Sequence, residues 1–206
     1  MIIESIDLQN YRNYEFLNMT FDNKINIIYG DNAQGKTNIL EALYVCATSK
    51  SHRTSKDKDI IRFGNDEAHI KVIVKKHDMN YRIDMHLKKN KTKGIAVNAI
   101  PIKRAVELFG IINIVIFSPE DLNIIKNGPS ERRRFVDMEL SQLDKIYLSN
   151  LINYNKVVVQ RNKLLKQLQF TNDKQLIDML DVWDLQLVKY GTEIIKRRNQ
   201  FIKDIN

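Results

Sequence analysis

Twenty-four residues, Ile25 to Thr48, constrain this chain more than any others. They read INIIYGDNAQGKTNILEALYVCAT: an apolar run of strand length, a turn, and an apolar run of helix length. Between the runs, Gly30-Asp31-Asn32-Ala33-Gln34-Gly35-Lys36-Thr37 fits G-x-x-x-x-G-K-[ST], in the strand–loop–helix setting that makes this pattern a phosphate cradle. Glycines at 30 and 35 permit a tight turn that brings backbone N–H groups against an anionic oxygen. The helix that follows adds unpaired donors and the positive end of its dipole. Lys36 supplies a full charge for β- and γ-phosphates, and the Thr37 hydroxyl is placed to complete the coordination of a Mg²⁺ bridging them. A chance match in a Gly-containing turn is the alternative, and the flanking runs argue against it.

A chain of 206 residues, 43% apolar, has room for one large domain or two small ones and is not of disordered composition. Its N-terminus, MIIESIDLQN, lacks a basic leader and carries Glu4 and Asp7, so it reads as neither a signal peptide nor a membrane span; a cytosolic location is the default. The single cysteine, Cys46, lies among apolar residues of the expected helix and reads as a small buried hydrophobe.

The net charge of +8 is unevenly spread: residues 50–104 hold 15 basic and 6 acidic side chains, whereas residues 1–49 hold 3 and 6. A concentrated basic surface favours a polyanion such as nucleic acid, with affinity that falls as salt rises. The competing reading is a solvated hairpin edge protected by lysines. Lys88, Lys89, Lys91 and Lys93 are the candidate DNA contacts.

Residues 2–8 are expected to form a strand, the alternation of Leu17, Met19 and Phe21 a second, and Ile25–Tyr29 a buried strand feeding the loop. The apolar residues of Thr37–Thr48 cover more than one helix face, and residues 49–54 form a loop. Ile70, Val72 and Val74, and then Tyr81, Ile83, Met85 and Leu87, alternate as two antiparallel strands around a turn near Asp78–Asn80. Ile95–Ile102 follows as a strand with Pro101 at an edge or end. Lys103–Phe109 reads as a short helix stopped at Gly110, and Ile111–Phe117 as a continuous buried strand.

Ser118 reads as an N-cap with Pro119 at N1 and Asp121 at N3; a metal-facing role for Glu120 or Asp121 is the other reading. Pro129 opens a helix, in which Arg132-Arg133-Arg134 forms a mixed face with Glu131 and Asp137. From residue 145 onward, Tyr147, Leu151, Tyr154, Val158, Leu165 and Leu168 keep a heptad-like spacing interrupted by Arg161. Leu176, Leu180, Trp183, Leu187, Tyr190, Ile194 and Phe201 resume it after a break at residues 171–173, which predicts an antiparallel helical hairpin. No capping signal precedes Asn206, which reads as truncation. His52, His69, His77 and His86 lack metal-ligand spacing with Cys or acidic partners.

LQNYRNY (8–14), GDNAQGKTN (30–38), SHRT (51–54), FSPEDLNIIKNGPSERRRFVDME (117–139) and the helical pair after them together resemble the N-terminal part of the bacterial RecF family. These are recombination-mediator ATPases of DNA gap repair, related to SMC and ABC-type ATPases. The resemblance implies an α/β fold: a P-loop ABC/SMC-type ATPase lobe with an antiparallel β subdomain, followed by a helical arm-like lobe. The implied boundaries are 1–118 for the nucleotide-binding lobe, with hairpins over 65–102, and 119–206 for a helical lobe truncated at its C-terminal end. It implies ATP and Mg²⁺ as cofactors and an ATP-dependent head-to-head homodimer. It further implies binding to double-stranded and gapped DNA, partnership with RecO and RecR in loading recombinase, and a cytoplasmic, nucleoid-associated location without a membrane. In this likeness Arg12 and Asn13 match positions near the nucleotide, Arg53 sits on a loop that approaches it, and Asn38 extends the phosphate loop.

The family's signature motif and catalytic glutamate are expected beyond residue 206. The family reading therefore expects binding without efficient hydrolysis from these residues, and a weak DNA-dependent ATPase from the longer protein. Another SMC-like P-loop ATPase, a small P-loop phosphotransferase, and a coiled-coil scaffold are the competing functions. The phosphotransferase needs an acidic metal residue, and its candidate strand end is interrupted by Ser118-Pro119; the scaffold leaves the phosphate loop without a purpose.

Overall fold

The computed structural model describes residues 1–118, 123–171 and 173–206. The chain divides into two compact units, Met1–Phe117 and Ser118–Asn206.

The first unit is built on one sheet. Strands β1 (Ile2–Tyr11), β2 (Tyr14–Thr20), β3 (Glu67–Lys76), β4 (Met79–Lys88), β5 (Gly94–Val97) and β6 (Ile100–Pro101) lie in the order β2-β1-β3-β4-β5-β6, every pair antiparallel. The hairpins expected over 65–102 are thus continuous with the N-terminal strands rather than a separate sheet. Alternation decides the faces: Ile6, Leu8, Ile70, Val72, Val74, Ile83, Met85 and Leu87 are buried on one side, where helix α1 (Lys36–Thr48) contributes Ile39, Leu43, Val45 and a fully buried Cys46 to the same core.

The β3–β4 turn falls at His77-Asp78, earlier than the expected Asp78–Asn80. Both turn residues have positive φ (48° and 61°), as the tight hairpin twist requires. A second such turn at Asn98-Ala99 (51° and 64°) divides the expected strand Ile95–Ile102 in two and leaves Pro101 on the edge strand. Lys103–Phe109 contains a 3-10 turn, Ala105–Leu108, rather than an α-helix.

Two expected strands are absent. Ile25–Tyr29 has no strand structure, and Ile25, Ile27 and Tyr29 are 81%, 80% and 89% exposed. In Ile111–Phe117 only Ile112 is buried, packed in the core of the first unit and joined to Phe109 by an isolated bridge, while Val115 and Phe117 are exposed. Both segments have sheet-core composition, but a strand exists only where a neighbour pairs its N–H and C=O groups. No described strand lies beside either one.

The second unit is helical: α2 (Asn123–Lys126), α3 (Pro129–Leu143), α4 (Lys145–Leu168) and α5 (Lys174–Ile205). Gly128 and Pro129 open α3 as expected. The Ser118 cap with Pro119 and Asp121 lies outside the described residues. Asp144 caps α4 by accepting from the backbone N–H groups of Ile146 (2.8 Å) and Tyr147 (3.0 Å), and Asp173 caps α5 through Gln175 N–H (2.8 Å). Among the described residues no helix is long and apolar enough to cross a membrane.

Helices α4 and α5 run antiparallel in one register. Tyr147 meets Arg198, Tyr154 faces Gly191 and Arg161 pairs with Asp184, each step seven residues along both helices. Arg161 is therefore part of the seam rather than an interruption of it. Beyond it the seam passes through the buried Leu164, while the expected Leu165 turns outward. Of the triple arginine, Arg134 reaches Glu131 at 3.8 Å. Asp137 instead accepts from Tyr147 Oη and, at 2.9 and 2.8 Å, from the Arg198 guanidinium; burial first, and then the Asp137 hydrogen bond, push the Tyr147 hydroxyl above its ordinary value.

Asp137→Ala leaves the buried Tyr147 and the half-buried Arg198 without their acceptor. It should destabilise the helical unit by about 1–3 kcal/mol, read as a lower urea midpoint in helical circular dichroism, with Asp137→Asn losing less.

Candidate functional site

The loop between Ile28 and α1 takes backbone conformations that explain its glycines. Gly30 has φ 141° and Gly35 φ 98°. A Cβ on Gly35 would stand 2.6 Å from Asn13 Oδ1 and 2.8 Å from Tyr14 Oη, so glycine is required there twice over, by conformation and by space. Ala33 is also left-handed (φ 65°), and Asp31, Asn32 and Gln34 are exposed around the turn. Gly35 is the N-cap of α1 with no side-chain cap, which leaves first-turn N–H donors and the positive helix end open to an anion. Lys36 Nζ donates to Gly30 O (2.7 Å) and to Asp31 O, which holds the ammonium at the mouth of the loop, and Thr37 is exposed beside it.

The turn between β1 and β2 fastens this loop from behind. Asn13 Nδ2 donates to Gln34 O (3.1 Å), as does Tyr14 Oη (3.3 Å), and Asn38 Nδ2 donates to Asn13 Oδ1 (2.8 Å). Arg53 Nη1 donates to Asn38 Oδ1 (2.8 Å). Asn13, Asn38 and Arg53, separated in sequence, thus form one chain of hydrogen bonds at the start of α1. They line a cleft of about 650 Å³ together with Arg12, Lys58 and the fully exposed Phe63.

Glu41, absent from the sequence-based set of site residues, organises this group. It is fully buried on α1 and accepts from Arg12 Nε (2.9 Å) and Nη2 (2.6 Å) and from Ser51 Oγ (2.5 Å), with Arg53 Nη1 at 3.6 Å. Burial by itself raises the Glu41 carboxyl, but the Arg12 and Ser51 hydrogen bonds and the Arg53 charge hold it below its ordinary value. Arg12 also donates to Asp59 O (2.6 Å), so its guanidinium is committed to protein acceptors at the edge of the cleft. The sequence does carry a signal: Glu41 is the lone charge inside NILEALYVCAT, and a carboxylate on a buried helix face needs a cationic partner.

The four candidate DNA-contacting lysines divide. Lys89 and Lys91 are exposed, Lys88 is half-buried, and Lys89 lies 3.6 Å from Asp66. Lys93 donates to Ser49 O and pairs with Asp57 at 2.9 Å, so it ties the β4–β5 turn to the end of α1. Glu120 and Asp121, the acidic candidates for facing a metal, lie outside the described residues. Two of the histidines do have a metal-competent arrangement: Glu67 and His69, two apart on β3, are joined by His86 through the β3–β4 register.

Comparison with known proteins agrees with this geometry. The AAA domain family model matches residues 5–206. Over all 206 residues the chain is 74% identical to the DNA replication and repair protein RecF of Lachnospira eligens and 66% identical to that of Agathobacter rectalis, spanning 57% and 56% of those proteins. The chain belongs to the AAA domain family, and along its whole length it is similar to RecF proteins. It therefore spans little more than half the length of these curated relatives. A solved structure of RecF with ATP, a recombination mediator of the RecFOR pathway, superposes with a TM-score of 0.92 at 37% identity, covering 98% of this chain and 54% of the other. An SMC ATPase structure, at 21% identity and a TM-score of 0.53 over 66% of this chain, shares the fold. The α/β P-loop lobe of ABC/SMC type followed by a helical lobe is the architecture of this chain.

Because the Glu41 carboxyl is depressed in the folded state, its stabilisation is fully present above the ordinary carboxyl value of 4.5 and is lost as pH falls through the lower folded value. Glu41→Gln should lower stability at pH 7 by about 3 kcal/mol, since Arg12 is left half-buried without its counter-ion. The gap between wild type and variant, measured by urea unfolding, should close as pH drops below 4.5.

Proposed function

We propose that these 206 residues carry the ATP-binding half-site of a RecF-type protein acting in DNA replication and repair. The observation that carries this reading is the phosphate loop itself: two glycine-only conformations, an uncapped helix N-terminus and a lysine held at the loop mouth. These features fit a nucleotide triphosphate. Backbone N–H groups of residues 33–37 would receive phosphate oxygens, and Lys36 would exchange its carbonyl partners for phosphate. Thr37 would supply a hydroxyl ligand to Mg²⁺, which neutralises phosphate charge when bound. Asn13 and Asn38 act as positioning residues, fixing Gln34 O and hence the loop's path into α1. Arg53, held between Asn38 and Glu41, presents a half-exposed guanidinium to the adjoining cleft.

The further roles follow the family likeness: ATP-dependent head-to-head dimerisation, clamping of double-stranded and gapped DNA, cooperation with RecO and RecR in loading recombinase, and a cytoplasmic location. No ion pair links Lys36 to a carboxylate among the described residues, and on this reading the groups for hydrolysis come from outside the 206. Support for the DNA role lies in Lys88, Lys89 and Lys91, whose side chains are wholly or partly exposed along the β4–β5 turn.

Lys36→Ala should lower ATP affinity roughly 10- to 100-fold with unchanged circular dichroism; undiminished affinity overturns the nucleotide role, and steady turnover with a small acceptor favours a phosphotransferase. Replacing Lys88, Lys89 and Lys91 by Gln should flatten the dependence of log affinity for duplex DNA on log salt by about 0.9 for each phosphate that is no longer neutralised. Lys93→Gln should act mainly on thermal stability, because Lys93 is held by Ser49 and Asp57.

A further inference from the structure

We propose that Glu67, His69 and His86 form a binding site for a zinc-class divalent cation on the outer face of the sheet, on the side away from α1. The register makes His69 and His86 direct cross-strand partners, and Glu67, two residues before His69, shares their face. The imidazoles stack with centroids 3.9 Å apart, and His86 Nε2 lies 2.9 Å from Glu67 Oε2. One donor atom from each residue falls within 4.8 Å of the others. Ligands around a tetrahedral zinc ion stand about 3.3 Å apart, so a rotation of the His69 ring off the stack is the adjustment required.

The surroundings favour a cation. Lys71 is engaged by Asp7 at 2.7 Å and Arg82 by Asp84 at 2.8 Å, while Lys88, the cross-strand partner of Glu67, stands beside the site as a competing charge. Gly94, opposite His86, has no side chain, and the face opens there into a groove of about 430 Å³ bounded by Phe16 and Pro101. Two imidazoles and one carboxylate select zinc or a similar borderline ion over Mg²⁺ or Ca²⁺, which prefer all-oxygen shells. Three protein ligands leave a coordination position facing the groove, open to water or to a donor from a small molecule.

The test is titration of the 206-residue chain with Zn²⁺ against a chromophoric chelator. One equivalent should bind, unaffected by millimolar Mg²⁺. Affinity should fall at least tenfold in His69→Ala and in His86→Ala, with no change in His77→Ala at the β3–β4 turn. The Co²⁺ complex of the unaltered chain should show the intense visible bands of a four- or five-coordinate ion with nitrogen ligands. A Co²⁺ spectrum like that of the aqueous ion, or Zn²⁺ affinity unchanged in both ligand variants, overturns the proposal. The Co²⁺ readout does not depend on whether the variants fold.

Discussion

The buried carboxylate of Glu41 is the interaction on which the first unit depends. A charge inside an apolar core is costly unless it is paired and hydrogen-bonded, and the pairing here draws three separate segments onto α1. Arg12 brings the β1–β2 turn, Ser51 and Arg53 bring the loop after the helix, and through Arg12 the carbonyl of Asp59 joins them. Arg12 holds a left-handed backbone conformation (φ 52°), which costs roughly 1 kcal/mol or more for a non-glycine residue; its bonds to Glu41 and the N–H bond to Ile60 O stabilise that conformation. The next residues, Asn13 and Tyr14, are thereby aimed at Gln34 O. Glu41 touches no part of the phosphate loop, yet it determines where the loop's rear supports stand.

The helical unit solves a similar problem at a repeating interval. Three contact layers between α4 and α5, seven residues apart, use a tyrosine with an arginine, a tyrosine with a glycine, and an arginine with an aspartate. Apolar residues alone would allow the two helices to slide by a heptad at little cost. The polar layers are not interchangeable: a slip by one heptad would place Arg161 opposite Gly191, or Tyr154 opposite Asp184, and leave charges unpaired. The Asp137 acceptor on α3 extends the specification to a third helix.

How much of this is legible in the sequence depends on how local each signal is. The phosphate loop is readable because its meaning lies in eight consecutive residues, and the β3–β4 hairpin because period-two alternation marks each strand. The helical hairpin is readable from its heptads, although Arg161 reads as an interruption because a charge at a seam position shows its purpose only once Asp184 is known. Glu41 with Arg12, 29 residues apart, needs the tertiary structure. So does the His69–His86 pair, since a turn displaced by even one residue changes which side chains face each other.

The two missing strands show where composition stops being informative. Ile25–Tyr29 and Ile111–Phe117 have the continuous apolar composition of strands buried on both faces, and composition of that kind reports intended burial, not pairing. Here Ile25, Ile27, Tyr29, Val115 and Phe117 stand at least 75% exposed, each forgoing roughly 1.5–3 kcal/mol that burial would contribute. The segment entering the phosphate loop is therefore not held by a sheet. The loop keeps its shape from the other side: Lys36 grips the carbonyls of Gly30 and Asp31, Asn13 and Tyr14 grip Gln34, and α1 is anchored through Glu41. The cradle is made chiefly of backbone N–H groups at a helix start, and the hydrogen bonds among the described residues fix that helix and the far side of the loop.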